Sequence, residues 1–102
     1  MATSYRNHVL ELLAAHRQEL HTRYSVSRIG LFGSVARGDA GSDSDIDILV
    51  DFEPDAHIGL FEFARLQNRL SEVLGRPVDL VMADALHDAL RDGILEETVY
   101  GG

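Results

Sequence analysis

The segment from Asp45 to Phe52 (DIDILVDF) constrains the fold more than any other part of the chain. Its even-numbered residues are all apolar, and its odd-numbered residues are aspartates except for Leu49. Because successive side chains of a β-strand point to opposite faces of the sheet, this pattern predicts a strand. We expect one face of that strand to enter an apolar core and the other face to present carboxylates.

Two stretches show the periodicity of amphipathic helices. Apolar residues recur every three or four positions from Ser4 to about Tyr24, and Ser4 is a candidate N-cap for this helix. The same spacing over 57–74 predicts a second helix, with Leu60 on its apolar face and its end at Gly75. Both helices therefore have an apolar side with which to cover a sheet.

Further strands are indicated by short apolar runs over 27–32 and 77–82, and the tail over 84–100 is expected to be helical with a break near Gly93. A chain of 102 residues has the usual size of one domain, so we expect a single domain over 1–102. The fold class that follows is α/β (α+β), a small β-sheet backed by helices. The short connection between the first two strands leaves open whether they run antiparallel.

Composition narrows the classes of function. Lys and Arg number 9 against 17 Asp and Glu, and the formal charge of -8 disfavours direct binding to nucleic acid. Cysteine is absent, which excludes a thiolate nucleophile and cysteine-ligated zinc. The start of the sequence lacks a signal-peptide pattern, and no apolar run approaches the ~18 residues of a membrane span. We therefore expect a cytoplasmic protein without membrane contact.

Five aspartates lie in the stretch GSVARGDAGSDSDIDILVDF. Ordinary loop or strand-end polarity is a sufficient explanation for Asp39, Asp43 and Asp51. Asp45 and Asp47 are different, because aspartate is a poor strand residue and two like charges on one strand face repel each other. A divalent cation such as Mg²⁺ takes carboxylate oxygens as ligands and would cancel this repulsion.

Two well-known loop motifs do not fit this region. Counted from Asp43, an EF-hand calcium loop needs glycine where Ile48 stands and glutamate where Pro54 stands. A P-loop needs lysine and then serine or threonine after its second glycine, but an aspartate and an alanine follow Gly38. A calcium loop and a P-loop are therefore discarded.

A phosphate contact and a third carboxylate complete the candidate site. Gly33 permits close approach of the backbone and Ser34 adds a hydroxyl, so the turn after the first strand suits a triphosphate. Asp79 lies in the middle of the third predicted strand and faces away from its apolar neighbours, so it can project to the same side of the sheet as the aspartate pair. Its structural explanation is an edge-strand polar residue. Together with Asp45 and Asp47 it would form a clamp for two metal ions and deprotonate an attacking hydroxyl.

In this combination the residues resemble the signature of the DNA polymerase β-type nucleotidyltransferase superfamily. The resemblance rests on Gly33-Ser34, on Asp45 and Asp47 after an interval of ten residues, and on the distal Asp79, and it covers nearly the whole chain. In detail the chain is similar to the minimal, MNT-type members, many of which are antitoxins paired with HEPN-domain toxins. Such members imply a small mixed sheet backed by helices, with Mg²⁺ on the three aspartates.

The resemblance also implies the substrate and its contacts. AMP would be transferred from ATP, and Gly33 and Ser34 would contact the triphosphate. Arg37 matches an arginine often found at this position and would contact phosphate, although a surface arginine explains it equally well. Val35 stands where many relatives carry another arginine, which is a departure from the pattern.

The function expected from these features is that of an antitoxin nucleotidyltransferase. A chain of this size has room for the catalytic sheet and its helices, so the acceptor surface would come from a partner. A tyrosine hydroxyl on a HEPN toxin fits that requirement, and the negative charge suits a basic partner surface. Two alternatives stay open, namely an antitoxin that acts by binding alone and a nucleotidyltransferase subunit that modifies a small molecule such as an aminoglycoside.

The remaining histidines and aromatic residues are interpreted as structural. The five histidines do not form a ligand cluster by sequence, and His16 is interpreted as a packed residue on an apolar helix face. The three tyrosines are interpreted as packed aromatics rather than as acceptors of self-modification. Phe61, Phe63 and Leu66 are interpreted as core, with docking of a partner as the alternative for Phe61.

Overall fold

The computed structural model describes residues 5–38, 45–86 and 88–100. Its helices and strands follow the order α1 (Tyr5–Ala15), α2 (Arg17–Tyr24), β1 (Val26–Phe32), α3 (Gly33–Arg37), β2 (Ile46–Phe52), α4 (Leu60–Leu74), β3 (Val78–Met82), α5 (Asp88–Glu97) and β4 (Val99–Tyr100). A 3₁₀ turn at Ala83–Ala85 follows β3. The predicted cap at Ser4, the loop residues Asp39 and Asp43, and His87 lie outside the described residues.

The four strands form one mixed sheet in the order β3-β2-β1-β4. β1 and β2 pair antiparallel, which settles the question that the short connection left open. β2 and β3 pair parallel and are joined through α4, since parallel neighbours need a crossover connection. β4 pairs antiparallel with the other side of β1. The predicted fold class, a small mixed sheet backed by helices, is confirmed.

The apolar core lies between the helices and one face of the sheet. Ile46, Ile48 and Val50 of β2 are each at most 1% exposed, as the alternation in the sequence predicted. The helices contribute a set of leucines and a valine that are equally inaccessible, namely Val9, Leu13, Leu20, Leu66 and Leu70. Burying each such side chain contributes roughly 1.5–3 kcal/mol. In the described part of the chain, none of the helices has the length and apolar character of a membrane span.

The helix predicted from Ser4 to Tyr24 is divided in two. α1 ends before His16, whose φ of -103° and ψ of 7° lie outside the helical region. The Nδ1 atom of His16 lies 2.9 Å from the carbonyl oxygen of Leu12, and the backbone N–H of His16 donates to the same oxygen at 3.2 Å. His16 is half-buried at this joint, so an imidazole contact to the backbone accompanies the break.

The helix predicted over 57–74 begins later, at Leu60. Gly59 donates its backbone N–H to the Glu62 carboxylate at 3.2 Å, a contact that caps the helix at this point. The predicted core positions of Leu60 and Phe61 are wrong, because these side chains are 83% and 79% exposed. Both belong to the first turn of α4, whereas the fully buried residues of this helix lie in its later turns.

The tail over 84–100 differs from its prediction in two ways. α5 continues through Gly93, so the predicted break is wrong. An exposed glycine lowers the stability of a helix by about 1 kcal/mol, but it keeps its backbone hydrogen bonds and does not end the helix. The tail then ends in the short strand β4, which lies opposite Gly30 and Leu31. This pairing joins residues that are far apart in the sequence, so no local sequence pattern predicts β4.

The C-terminal segment covers part of the second face of the sheet. A Cβ atom at Gly30 would lie 2.5 Å from Cγ2 of Thr98 and 3.0 Å from Cδ1 of Tyr100, so glycine leaves the room for this packing. Leu49, directly opposite Gly30 in β2, is 1% exposed. The guanidinium carbon of Arg28 lies 4.0 Å from the centroid of the Tyr100 ring. The aspartates of β2 and β3 occupy this same second face.

Candidate functional site

Asp47 and Asp79 lie side by side on adjacent parallel strands. The register of β2 and β3 pairs these two residues directly, and their side chains share the face of the sheet that points away from the helical core. Asp45 immediately precedes β2 and is exposed, as is Asp79, whereas Asp47 is half-buried. The sheet therefore places the carboxylates of Asp47 and Asp79, which are distant in sequence, beside each other. Asp45 lies directly before the strand that carries Asp47.

The three aspartates form an open arrangement rather than a closed metal cage. Within residues 5–38, 45–86 and 88–100, no three His, Asp or Glu side chains are arranged to hold a metal ion together. The donor chemistry nevertheless fits Mg²⁺, which takes carboxylate oxygens and is usually bound by one or two protein carboxylates together with substrate phosphates. A bound nucleotide would supply those phosphate oxygens.

Asp47 is the carboxylate whose ionisation is most affected by this arrangement. Burial raises the pKa of Asp47 above its ordinary value of 3.8, and the negative charges of Asp79 and Asp45 raise it further. The guanidinium of Arg37 lowers the pKa of Asp47, and the carboxylate of Glu97 raises it. Ionisation of Asp47 is therefore less favourable here than in the unfolded chain, and a cation beside it would offset the repulsion.

This shift predicts how stability depends on pH. Because the pKa of Asp47 is higher in the folded chain than in the unfolded chain, its stabilising contribution is present below about pH 3.8 and is lost as the pH rises through the folded value. At neutral pH and in the presence of a metal chelator, the Asp47→Asn variant is expected to melt at a higher temperature than the parent protein, because it lacks the unfavourable charge. The difference should shrink as the pH falls toward 4, which thermal melts over a pH series will measure.

Asp51→Asn is the matched control for this measurement, because it removes the same charge from the same strand face. A gain in melting temperature for Asp51→Asn equal to that for Asp47→Asn would mean that the net charge of the chain, rather than the neighbours of Asp47, causes the effect.

Gly33 begins α3 directly after β1 and is held against Asp47. Its φ is +75°, in the left-handed region that favours glycine. A Cβ atom added here would lie 2.9 Å from Cγ of Asp47 and overlap its carboxylate. Ser34 follows and is half-buried, while Val35 is 2% exposed and packs in the core. The predicted phosphate-binding turn and the predicted metal ligands are therefore in contact.

Glu97 belongs to this site, a role that was not predicted from the sequence. The backbone N–H of Gly33 donates to Oε1 of Glu97 at 3.0 Å. Nη1 of Arg37 lies 3.2 Å from Oε2 and 3.4 Å from Oε1 of the same carboxylate. Glu97 is the last residue of α5, so the C-terminal helix reaches the turn between β1 and α3. Its contribution depends on tertiary packing, which spacing along the chain does not reveal.

A separate groove of about 920 Å³ lies between α1, α2 and β1. Its lining includes Leu20, His21, Arg28, Glu53 and Tyr100. None of the six residues predicted for metal or nucleotide binding belongs to this lining. The carboxylate site is instead a surface site, and the groove provides an alternative place at which to look for a ligand.

Known proteins are similar to this chain in both sequence and fold. Residues 13–100 match the nucleotidyltransferase domain family. Protein adenylyltransferase MntA of Thermococcus cleftensis is 43% identical over 100 residues, which cover 98% of this chain and 99% of that protein. A solved structure assigned as a minimal nucleotidyltransferase superposes with a TM-score of 0.71 at 42% identity, covering 88% of this chain and 93% of that one. A toxin-antitoxin structure with AMP-PNP gives a TM-score of 0.67 at 25% identity, covering 95% and 73%.

Proposed function

Because the chain belongs to the nucleotidyltransferase domain family, we propose that it is a protein adenylyltransferase and the antitoxin of a toxin-antitoxin pair. It transfers AMP from ATP to a tyrosine hydroxyl of a HEPN-domain toxin. Its similarity to protein adenylyltransferase MntA and to a toxin-antitoxin structure with AMP-PNP supports this function. The observation that carries the proposal is the direct pairing of Asp47 and Asp79 beside the Gly33 turn.

In this function Asp45, Asp47 and Asp79 would hold two Mg²⁺ ions through their carboxylate oxygens. When bound, Mg²⁺ would neutralise charge on the triphosphate and make the acceptor hydroxyl easier to deprotonate. Asp79 is exposed, and it accepts the proton of the attacking hydroxyl. The hydroxyl oxygen forms a bond to the α-phosphorus, the bond from that phosphorus to the bridging oxygen breaks, and pyrophosphate leaves.

The triphosphate lies against the turn between β1 and α3. Gly33 brings the backbone close to Asp47, so phosphates bound at this turn would lie next to metal ions bound at the aspartates. Ser34 adds a hydroxyl donor next to it. Arg37 is the cation of α3, and half of its side chain is exposed, so it reaches phosphate oxygens from the end of the helix.

A protein acceptor suits the surface around the aspartates. Asp45 and Asp79 are both exposed, so a side chain of a second protein approaches them without entering a closed cavity. The formal charge of -8 favours a basic partner. Phe61, which is 79% exposed at the start of α4, is a candidate for apolar contact with that partner.

Mass spectrometry of the chain and its partner tests the proposal. The chain is incubated with the product of the neighbouring gene as the candidate toxin, with ATP and Mg²⁺, and both proteins are weighed intact. A gain of one AMP mass, or a multiple of it, on the toxin is expected, and fragmentation should place it on tyrosine. Neutralisation of the toxin without any gain in mass would instead support an antitoxin that acts by binding alone. Labelling of an added aminoglycoside in place of the toxin would support a small-molecule transferase.

A further inference from the structure

The carboxylate of Glu97 occupies donors that the proposed nucleotide site needs. We propose that Glu97 is an internal competitor of the triphosphate, which ATP must displace before AMP transfer can begin. This inference rests on the proposed function, because it takes Gly33 and Arg37 as phosphate ligands. It adds a residue and a step that the family resemblance does not supply.

The contacts of Glu97 are those of a bound anion. One carboxylate oxygen accepts the N–H of Gly33 at 3.0 Å, and the other lies 3.2 Å from Nη1 of Arg37. A backbone N–H and a guanidinium are also the groups with which proteins bind phosphate oxygens. The side chain of Glu97 is 31% exposed and that of Arg37 is 50% exposed, so solvent and ligand reach both.

A phosphate oxygen and the Glu97 carboxylate exclude each other at these donors. Both are negatively charged acceptors, and the N–H of Gly33 has a single hydrogen to donate. The carboxylates of Asp47, Asp79 and Asp45 already make this part of the surface negative, so a triphosphate beside a retained Glu97 would meet further like charge. Binding of ATP therefore requires that Glu97 turn away. The apparent affinity for ATP equals the intrinsic affinity multiplied by the fraction of molecules in which these donors are not occupied by Glu97.

Displacement of the Glu97 side chain is also expected to affect β4, the edge strand that begins two residues later. Thr98 follows Glu97, and its hydroxyl donates to the carbonyl oxygen of Ile94 at 2.6 Å. The next residue, Val99, begins β4 and lies opposite Leu31 of β1. Because these contacts fix the backbone directly after Glu97, movement of its side chain changes the surroundings of Thr98 and Val99 first.

Nucleotide affinity of single variants tests this competition. Binding of AMP-PNP in the presence of Mg²⁺ is measured by isothermal titration calorimetry for the parent chain, Glu97→Gln and Glu96→Gln. Glu96 is exposed and adjacent, so its variant controls for the loss of one negative charge. Glu97→Gln is expected to bind AMP-PNP about 5-fold more tightly than the parent, and Glu96→Gln should stay within about 2-fold.

The outcomes separate this inference from the proposed function. Equal affinities for Glu97→Gln and Glu96→Gln, or weaker binding by Glu97→Gln, would overturn the competition while leaving the nucleotide site in place. Absence of AMP-PNP binding by every variant would overturn the site itself. If Glu97→Gln does not fold, NMR of the parent chain decides. AMP-PNP should then shift the amide resonances of Thr98 and Val99 together with those of Gly33 and Ser34, and unchanged Thr98 and Val99 resonances would overturn the inference.

Discussion

Asp47→Asn is expected to lower the rate of AMP transfer to the toxin at least about 100-fold. Removal of groups that merely orient a metal ligand typically costs 10–100-fold in activity, so loss of a ligand itself should cost more. Asp47 has the central position, since it pairs with Asp79, lies two residues from Asp45 and touches the Gly33 turn. Single-turnover kinetics with labelled ATP at saturating Mg²⁺ will measure the effect.

Asp51→Asn is the control for this loss of activity. Asp51 belongs to the same strand and the same face, but it lies opposite Arg28 of β1 rather than beside Asp79. Its variant should retain activity within about 3-fold of the parent, because Asp51 is only half-buried and a charge change away from a site has a small effect. Equal losses for Asp47→Asn and Asp51→Asn would indicate a general charge effect and would contradict a specific role for Asp47.

Gly33→Ala is expected to lower the free energy of unfolding by about 2 kcal/mol or more and to abolish AMP transfer. A non-glycine residue with positive φ costs of order 1–3 kcal/mol, and here the added methyl group also displaces the Asp47 carboxylate. Two independent causes therefore act in the same direction. Urea unfolding monitored by circular dichroism will give the change in stability.

Gly93→Ala is the matched control for this glycine. Gly93 lies inside α5, and a Cβ atom there would meet nothing within 4 Å. Alanine at an exposed helix position should stabilise the chain by roughly 0.5–1 kcal/mol. The opposite signs expected for Gly33→Ala and Gly93→Ala separate a strained turn from the ordinary preference of helices for alanine, and equal effects would contradict this explanation of Gly33.

The sheet could be predicted where the pattern of apolar and polar residues along a strand shows which of its side chains are buried. The alternation from Asp45 to Phe52 predicted β2, its buried face and the side on which Asp47 lies, because the side-chain period of a strand is fixed by its backbone. The apolar run of β3 likewise placed Asp79 on the opposite side from its buried neighbours. These two local predictions combine only when β2 and β3 pair in register, which the structure supplies.

The failures occur where long-range contacts decide the outcome. Leu60 matches a helical apolar face and Phe61 adjoins it, but the first turn of α4 packs against nothing that covers them among the described residues. β4 exists because two residues meet Gly30 and Leu31 across the sheet, not because of their own pattern. Glu97 reaches the Gly33 turn for the same reason, since only the packing of α5 brings it there.

A crystal structure of the chain with AMP-PNP, and with Mn²⁺ in place of Mg²⁺, tests the central proposal most directly, because Mn²⁺ is located by its anomalous scattering. We expect Mn²⁺ in direct contact with carboxylate oxygens of Asp45, Asp47 and Asp79, and the triphosphate against Gly33 and Ser34. Mn²⁺ and triphosphate bound elsewhere, for example in the groove between α1, α2 and β1, with these aspartates untouched, would contradict the proposed nucleotidyl-transfer site.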